Sequence, residues 1–288
     1  MTLSVITVNF NGAKKTSALL KSLSRQNDSD FLTIVIDNAS EETDYAELQK
    51  SPVFQGLEII RNEVNLGFSG GNNVGIKRAL ENGSDWVLLL NNDTTVEPGF
   101  IGSLKAELSK LEGIVGAAID EDGIVAYCGK VKWLRSRGYH SYDLSEALVE
   151  EGRYIIGGCM AIQTNVFEKI GFLDQKYFLY FEDQDYSVRA RKAGIQLGIL
   201  PEIKIHHQPS STTNKLGSPL LLRYHYRNAL YFNRKNAPAN IKVVNWLWSF
   251  WIIKRQILKI MIGYKKEESR AILNAVFDFY RGKMGKIQ

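Results

Sequence analysis

The first third of the chain alternates short apolar runs with stretches of helical periodicity. The runs are Leu3 to Val8, Leu32 to Ile36, Leu57 to Ile60 and Trp86 to Leu90. Between them the spacing predicts helices over Ala13 to Gln26, Glu41 to Lys50 and Gly70 to Asn82. Such alternation reads as parallel strands joined by crossover helices, a doubly wound α/β sheet with helices on both faces. The fourth run, WVLLL, has no polar position, as a strand covered on both faces requires. From Gly113 to Tyr154 the pattern is irregular, and turns at Asp122-Gly123 and Arg137-Gly138 suggest short strands or a loop excursion. Strand character returns at Tyr154 to Ile162. A helix follows at Glu182 to Ala193, then strands at Leu197 to Leu200 and Ile203 to His206. After about Leu220 the chain reads as helical and rich in aromatic residues.

The residues that end the apolar runs are polar: Asn9, then Asp37, then Arg61, then Asn91, Asn92 and Asp93. In an open parallel sheet the C-terminal ends of the strands share one edge, where the ligand crevice forms. These side chains are therefore expected to converge on one cleft.

Composition narrows the picture. The 288 residues, 44% hydrophobic and 23% charged, suit one α/β domain with an appendage. Two cysteines, Cys128 and Cys159, make neither a disulfide framework nor a zinc site, which fits a reducing compartment. The opening MTLSVITVNF lacks the basic flank and cleavage site of a signal peptide and reads as a first strand. The net charge of +5 is uneven: residues 240–288 carry +7 and the remainder −2. A uniformly basic nucleic-acid binder would not show this, so no nucleic-acid partner is expected.

Three segments carry candidate chemistry. In VLLLNNDTTVEPGF a buried strand ends on Asp93 at the sheet edge, with Pro98 opening a helix. One carboxylate there suits Mg²⁺ or Mn²⁺, which take carboxylate, water and phosphate oxygens; Asp93 could equally cap the turn. In YFLYFEDQDYSVRARKAG, Asp183, Tyr186, Ala190 and Ala193 form one helical stripe. This makes Asp183 the better general base, with Glu182 in reserve, and leaves Asp185 and Arg189 to pair on the surface. Alternatively the three acids simply favour the helix N-terminus. In RNEVNLGFSGGNNVGI the glycines Gly67, Gly70 and Gly71 permit close backbone approach to a ligand, but their position and spacing do not match a dinucleotide fingerprint. Gly157 and Gly158 mark another close approach, to an acceptor or to backbone. Of His206 and His207, one could complete a metal site.

Taken in order, TVNFNG, VIDNAS, RNEVNLGFSGGNNVGI, LLLNNDT, GGCMAI and FLYFEDQDYSVRARKAG, with the strand-end histidine, resemble the inverting family 2 glycosyltransferases of the GT-A fold. The likeness covers roughly Leu3 to Thr212 and is nearest to the bacterial rhamnosyltransferase-like branch that builds cell-surface polysaccharide. The resemblance implies that Thr7, Asn9 and Asp37 hold base and ribose. Arg61 with the Gly67-to-Asn73 loop, including Gly71, supports the nucleotide. Asn91 and Asn92 flank the sugar diphosphate. It also implies that Asp93 and His206 bind or adjoin Mg²⁺ or Mn²⁺, that Asp183 is the catalytic base, and that Gly157, Gly158 and Glu182 face the acceptor. Asn91 stands where many members carry the first aspartate of DxD. The implied partners are a dTDP- or UDP-linked sugar donor and a glycan or lipid-linked acceptor. An inactive sugar-nucleotide-binding module and a sugar-phosphate nucleotidyltransferase are the alternatives; the latter lacks an N-terminal Gly-rich triphosphate loop here.

The expected division is a catalytic domain over 1–220, with a nucleotide-sugar part (1–112) and an acceptor part (113–220), followed by a helical segment over 221–288. Within the latter, NWLWSFWIIKRQILKIMIGYKK is too short in its uncharged run to span a bilayer. Aromatic residues interleaved with Lys254, Arg255 and Lys259 suit a helix lying on an anionic membrane surface over 241–266. Packing on the catalytic domain or on a second copy, as a homodimer, is the alternative. The expected location is cytoplasmic, peripheral on the inner face of the cell membrane.

Overall fold

The structure is a computed structural model that describes residues 1–207 and 218–287. Strands β1 (Leu3–Asn9), β2 (Leu32–Asp37), β3 (Leu57–Arg61) and β4 (Trp86–Leu90) run parallel in the order β3-β2-β1-β4. Helices α1 (Ala13–Leu23), α2 (Glu42–Leu48) and α3 (Gly67–Glu81) connect them, close to the bounds read from the sequence. Beyond β4 come β5 (Thr94–Thr95), α4 (Phe100–Leu108) and the hairpin of β6 (Ile114–Glu121) and β7 (Ile124–Ala126). A separate small sheet holds β8 (Cys128–Lys130), β9 (Tyr139–Ser141) and β10 (Arg153–Tyr154), with α5 (Leu144–Leu148) between the last two. The chain then forms β11 (Cys159–Gln163), α6 (Asn165–Ile170), α7 (Glu182–Lys192) and β12 (Leu197–His207). The main sheet continues from β4 through antiparallel β11, then β6, β12 and β5.

β4 shows why this sheet is covered on both sides. Trp86, Leu88 and Leu90 enter the core under α1 and α4, while Val87 and Leu89 enter the opposite core with α3, α6 and α7. Each such side chain contributes roughly 1.5–3 kcal/mol by leaving water.

Two sequence expectations are revised. The segment read as irregular contains β6, an interior strand whose centre, Gly116-Ala117-Ala118, lacks the β-branched residues that advertise a strand. A Cβ at Gly116 would come 2.8 Å from Ile155, so packing selects the small residue. The two strands expected at 197–200 and 203–206 are one, β12, with a register shift between Leu200 and Lys204 across Pro201.

The tail forms α8 (Ser218–Asn236), α9 (Ala239–Met261) and α10 (Lys266–Tyr280). Leu230 and Phe232 of α8, Ile252 of α9 and Val276 of α10 share a core with Tyr177, Phe181 and Val188. The tail is thus packed against the segment that carries α7. The expected boundary at residue 220 falls inside α8, and the joint itself lies at 208–217, outside the described residues.

Candidate active site

The strand-end side chains do meet. Asn9 Nδ2 donates to Asp37 Oδ1 at 2.9 Å, and the Arg61 guanidinium lies 3.4 Å from Asp37 Oδ2. Thr16 Oγ1 of α1 donates to Asn9 Oδ1 at 2.8 Å and accepts from Asn92 Nδ2 at 2.9 Å. One chain of contacts therefore runs along the sheet edge from Arg61 to the Asn91-Asn92-Asp93 turn. Asn9 and Asp37 are fully buried, and Arg61 is also paired with Glu42 at 2.7 Å and with the Ser40 carbonyl. Thr7 lies below this edge, buried, with its Oγ1 unpartnered.

The turn after β4 is fastened from the far side of the sheet. β5 pairs antiparallel with the end of β12, with Thr94 opposite His207 and Thr95 opposite His206. Neighbouring strand residues face opposite ways, so only one histidine can reach Asp93. It is His207: its Nε2 lies 3.2 Å from Asp93 Oδ1, and its Nδ1 lies 2.7 Å from Glu121 Oε1. His206, the residue expected there, instead lies 3.3 Å from Glu97 and 3.6 Å from Asp120. The close approach of the Asp93 carboxylate, aided by the charges of Asp93 and Glu121, holds the His207 imidazole above its ordinary pKa despite burial. Asp93 Oδ1 is buried with no well-aligned donor among the described residues. Among the described residues no group of three His, Cys, Asp or Glu side chains converges as a metal cage. One carboxylate and one imidazole, with an incompletely bonded oxygen between them, still fit a divalent cation whose shell is completed by phosphate oxygens and water.

The glycine-rich segment has a structural role in the fold. It is the start of α3, and its glycines pack. A Cβ at Gly71 would lie 3.0 Å from Val8, and one at Gly67, whose φ is +74°, would collide with the Phe178 carbonyl. Asn73 is spent on Leu173, donating to its carbonyl at 2.9 Å and accepting from its N–H at 3.1 Å. Gly67, Gly71 and Asn73 thus seat α3 on β1 and on the loop before α7. Both polar side-chain atoms of Asn73 are thus engaged by the Leu173 backbone.

The second acid cluster sits across Gly157 and Gly158. The Gly158 carbonyl accepts from the Asn91 N–H at 3.1 Å, and the Gly157 N–H donates to Asp183 Oδ2 at 3.1 Å. Two residues of backbone therefore tie the β4 turn to the start of α7. Asp183 also accepts from the Gln184 N–H at 2.7 Å. Burial raises its pKa, and these backbone donors oppose the rise by favouring the anion. Glu182 beside it is buried with Oε2 unpartnered, and desolvation together with the Asp183 charge pushes it up to about 8. The environments differ: Asp183 has two backbone donors that favour its anion, and Glu182 has the Asp183 charge beside it, which favours its neutral form.

Asp185 was expected to pair with Arg189 on the surface. The pair exists, at 2.8 Å, but Asp185 is fully buried. It also accepts from Tyr177 Oη at 3.0 Å, Lys235 Nζ at 2.9 Å and Asn236 Nδ2 at 2.7 Å. Just upstream, Phe178, Tyr180 and Phe181 hold φ of 62°, 69° and 76°, a left-handed conformation that costs aromatic residues roughly 1 kcal/mol or more each. Buried Asn228 of α8 offsets this strain, donating to the Tyr177, Leu179 and Tyr180 carbonyls. Asn228, Lys235 and Asn236 are supporting residues that no local motif marks. Their role depends on where α8 docks.

Comparisons with known proteins bear on the family and the fold. A family model described as glycosyl transferase family 2 matches residues 4–171. The chain is 26% identical to the dTDP-rhamnosyl transferase RfbF of Shigella flexneri, over 91% of each chain. It is equally similar, at 26%, to the N-acetylglucosaminyl-diphospho-decaprenol L-rhamnosyltransferase of Mycobacterium tuberculosis, over 94% of this chain and 96% of that one. Among solved structures, TarS 1–349 of S. aureus in complex with UDP-GlcNAc superposes with a TM-score of 0.60 at 16% identity, over 98% of this chain and 81% of that one. The mannosyltransferase PcManGT of Pyrobaculum calidifontis, in complex with GDP-Man and Mn²⁺, gives 0.59 at 13%, over 98% and 87%. These structural likenesses show the fold.

Proposed function

The chain belongs to glycosyl transferase family 2 and is a glycosyltransferase, and on that premise we propose that it transfers a sugar from dTDP-rhamnose or a UDP-hexose to a hydroxyl of a glycan or lipid-linked acceptor, with inversion, in cell-surface polysaccharide synthesis. The observation that carries the reading is the Gly157-Gly158 bridge, which joins the Asn91-Asn92-Asp93 turn to Asp183 through hydrogen bonds of 3.1 Å on each side. A donor diphosphate at the turn would then lie next to a base able to take a proton from an attacking hydroxyl.

The roles follow from the chain's own groups. Asn9, Asp37 and Arg61, already linked to one another, form the edge against which base and ribose would rest, with Thr7 beneath. Asn91 and Asn92 would flank the diphosphate. Asp93 and His207, rather than His206, would hold Mg²⁺ or Mn²⁺, which when bound would offset charge on the leaving diphosphate. Asp183 would accept the acceptor's proton as its oxygen attacks from the face opposite the leaving group, the geometry of inversion. Gly157 and Gly158 would let the acceptor approach closely, and neutral Glu182 would donate a hydrogen bond to it. A thermal-shift panel of dTDP-, UDP- and GDP-sugars, each with and without Mg²⁺, tests the donor reading through mass action. Stabilisation by dTDP- or UDP-sugars is expected; preference for GDP-sugars overturns it.

The tail supports a further element of the proposal, attachment to a membrane surface on the cytoplasmic side. No helix among the described residues is long and apolar enough to cross a membrane. Helix α9 is instead amphipathic in reverse. Its buried side carries Asn245, Ser249, Ile252 and Gln256, while Trp246, Leu247, Phe250, Trp251 and Leu258 are exposed. Lys254, Arg255 and Lys259 lie on the same helix, the pattern of an interfacial segment drawn to anionic lipid. Flotation with anionic vesicles should be abolished by W246E with W251E. Wild-type protein that stays with the unbound fraction, or dimerises through this face, would exclude membrane docking.

A further inference from the structure

Lys15, in the first turn of α1, belongs to no motif and yet is the lysine that faces Asp93 among the described residues. Its Nζ is buried with no hydrogen-bond partner among the described residues, 3.9 Å from Asp93 Oδ2. That separation is well beyond the roughly 2.7–2.9 Å of a charge-assisted hydrogen bond. An ammonium has three protons to donate, and leaving a buried charge unbonded is costly. The other carboxylate oxygen, Oδ1, faces His207 Nε2 at 3.2 Å without a well-aligned hydrogen bond. The ammonium thus faces, through Oδ2, a carboxylate that it does not reach.

The separation is built in. Asn92 Nδ2 is bonded to Thr16, the residue after Lys15, and a Cβ at Gly12 would come 3.0 Å from the same nitrogen. The start of α1 and the β4 turn are therefore locked together at close range, with Lys15 and Asp93 held across the remaining gap. A group that would satisfy both sides offers oxygens to the ammonium and shares a cation with the carboxylate. A diphosphate does both.

We propose that Lys15 is a second diphosphate ligand, which gives the donor site a fixed positive charge independent of the divalent cation. The inference rests on the donor reading above. It also accounts for Asn91: with one acid fewer at the turn, a lysine carries part of the charge neutralisation that a more tightly held metal would otherwise supply.

Isothermal titration of the full chain with UDP and dTDP, in Mg²⁺ and again in EDTA, tests this. Wild type should bind at least one of them in Mg²⁺ and retain weaker binding in EDTA. K15M should bind roughly tenfold or more weakly in Mg²⁺ and lose detectable binding in EDTA. K15R should recover most of the affinity and share the wild-type thermal midpoint. K15M affinities within about twofold of wild type in both buffers would overturn the role of Lys15 and leave the donor reading intact. Wild type that binds neither nucleotide removes the donor reading, and this inference with it.

Discussion

The two acid ends of the site are finished to different degrees. At the Asp183 end every support comes from the protein: two backbone N–H groups hold the carboxylate, and buried Asp185 anchors the helix through Tyr177, Arg189, Lys235 and Asn236. At the Asp93 end the contacts are longer, 3.2 Å to His207 and 3.9 Å to Lys15, and both Asp93 Oδ1 and Lys15 Nζ are without a hydrogen-bond partner among the described residues. A base works best when its geometry is set before the substrate arrives. A site for a polyanion and a cation works best when the ligand completes it, because bonds made inside the protein would have to be broken first. On the proposed reading, the contrast separates a preorganised proton acceptor from an end shaped to bind the donor diphosphate.

Five substitutions would break or sharpen that contrast. The largest effect is expected from Asp183→Asn. Turnover should fall by about 10²–10⁴-fold, while UDP or dTDP affinity stays within a few-fold and stability drops by no more than about 1 kcal/mol. Transfer at the wild-type rate would remove Asp183 as the base. Next is Asp185→Ala, which leaves Arg189 and Lys235 facing a void and should cost about 3 kcal/mol in chemical denaturation. A loss below about 1 kcal/mol would mean that the network is not the anchor of α7. At the other end, His207→Ala should weaken Mg²⁺-dependent donor binding by roughly tenfold, with His206→Ala near wild type; the reverse ranking would restore His206 as the metal neighbour.

The smallest effect concerns pH. Glu182 has a folded-state pKa of about 8 against an ordinary 4.5. Below the lower value both states hold the proton and the full contribution to stability is present. As pH rises from there toward 8 the unfolded chain releases the proton and the folded one keeps it, so stability falls. Glu182→Gln should therefore lose less stability than wild type between about pH 5 and 8, by about 1 kcal/mol or more. Parallel stability curves would show that Glu182 is ionised in the folded protein.

Much of the site was legible because its residues follow strands whose pattern is unmistakable. Asn9, Asp37, Arg61 and Asp93 could be placed on one edge as soon as four apolar runs were read as parallel. Asp183 followed from helical spacing. The glycines between Gly67 and Gly75 are ambiguous for an equally physical reason. Close approach to a ligand and close approach to another element select the same residue, and here the neighbours are Val8, Ile6 and Phe178.

The histidine pair shows the limit at the scale of one residue. A strand turns its side chains over at every step, and β12 carries an irregularity around Pro201 that sets which of His206 and His207 faces Asp93. No count along the chain reveals where that irregularity falls. The same holds for Lys15 and Asn228, whose partners lie 78 and 48 to 51 residues away.

From sequence alone came the parallel α/β half, the sheet edge that carries the polar residues, the two acid clusters and the aromatic, basic tail. All of these rest on local periodicity, on composition and on which residue follows a strand. Tertiary structure alone decided that β6 is an interior strand, that α8 underpins α7, that His207 rather than His206 meets Asp93, and that Lys15 stands 3.9 Å from the same carboxylate. Those facts depend on register and on docking between distant segments, where packing and buried charge, not local propensity, choose the outcome.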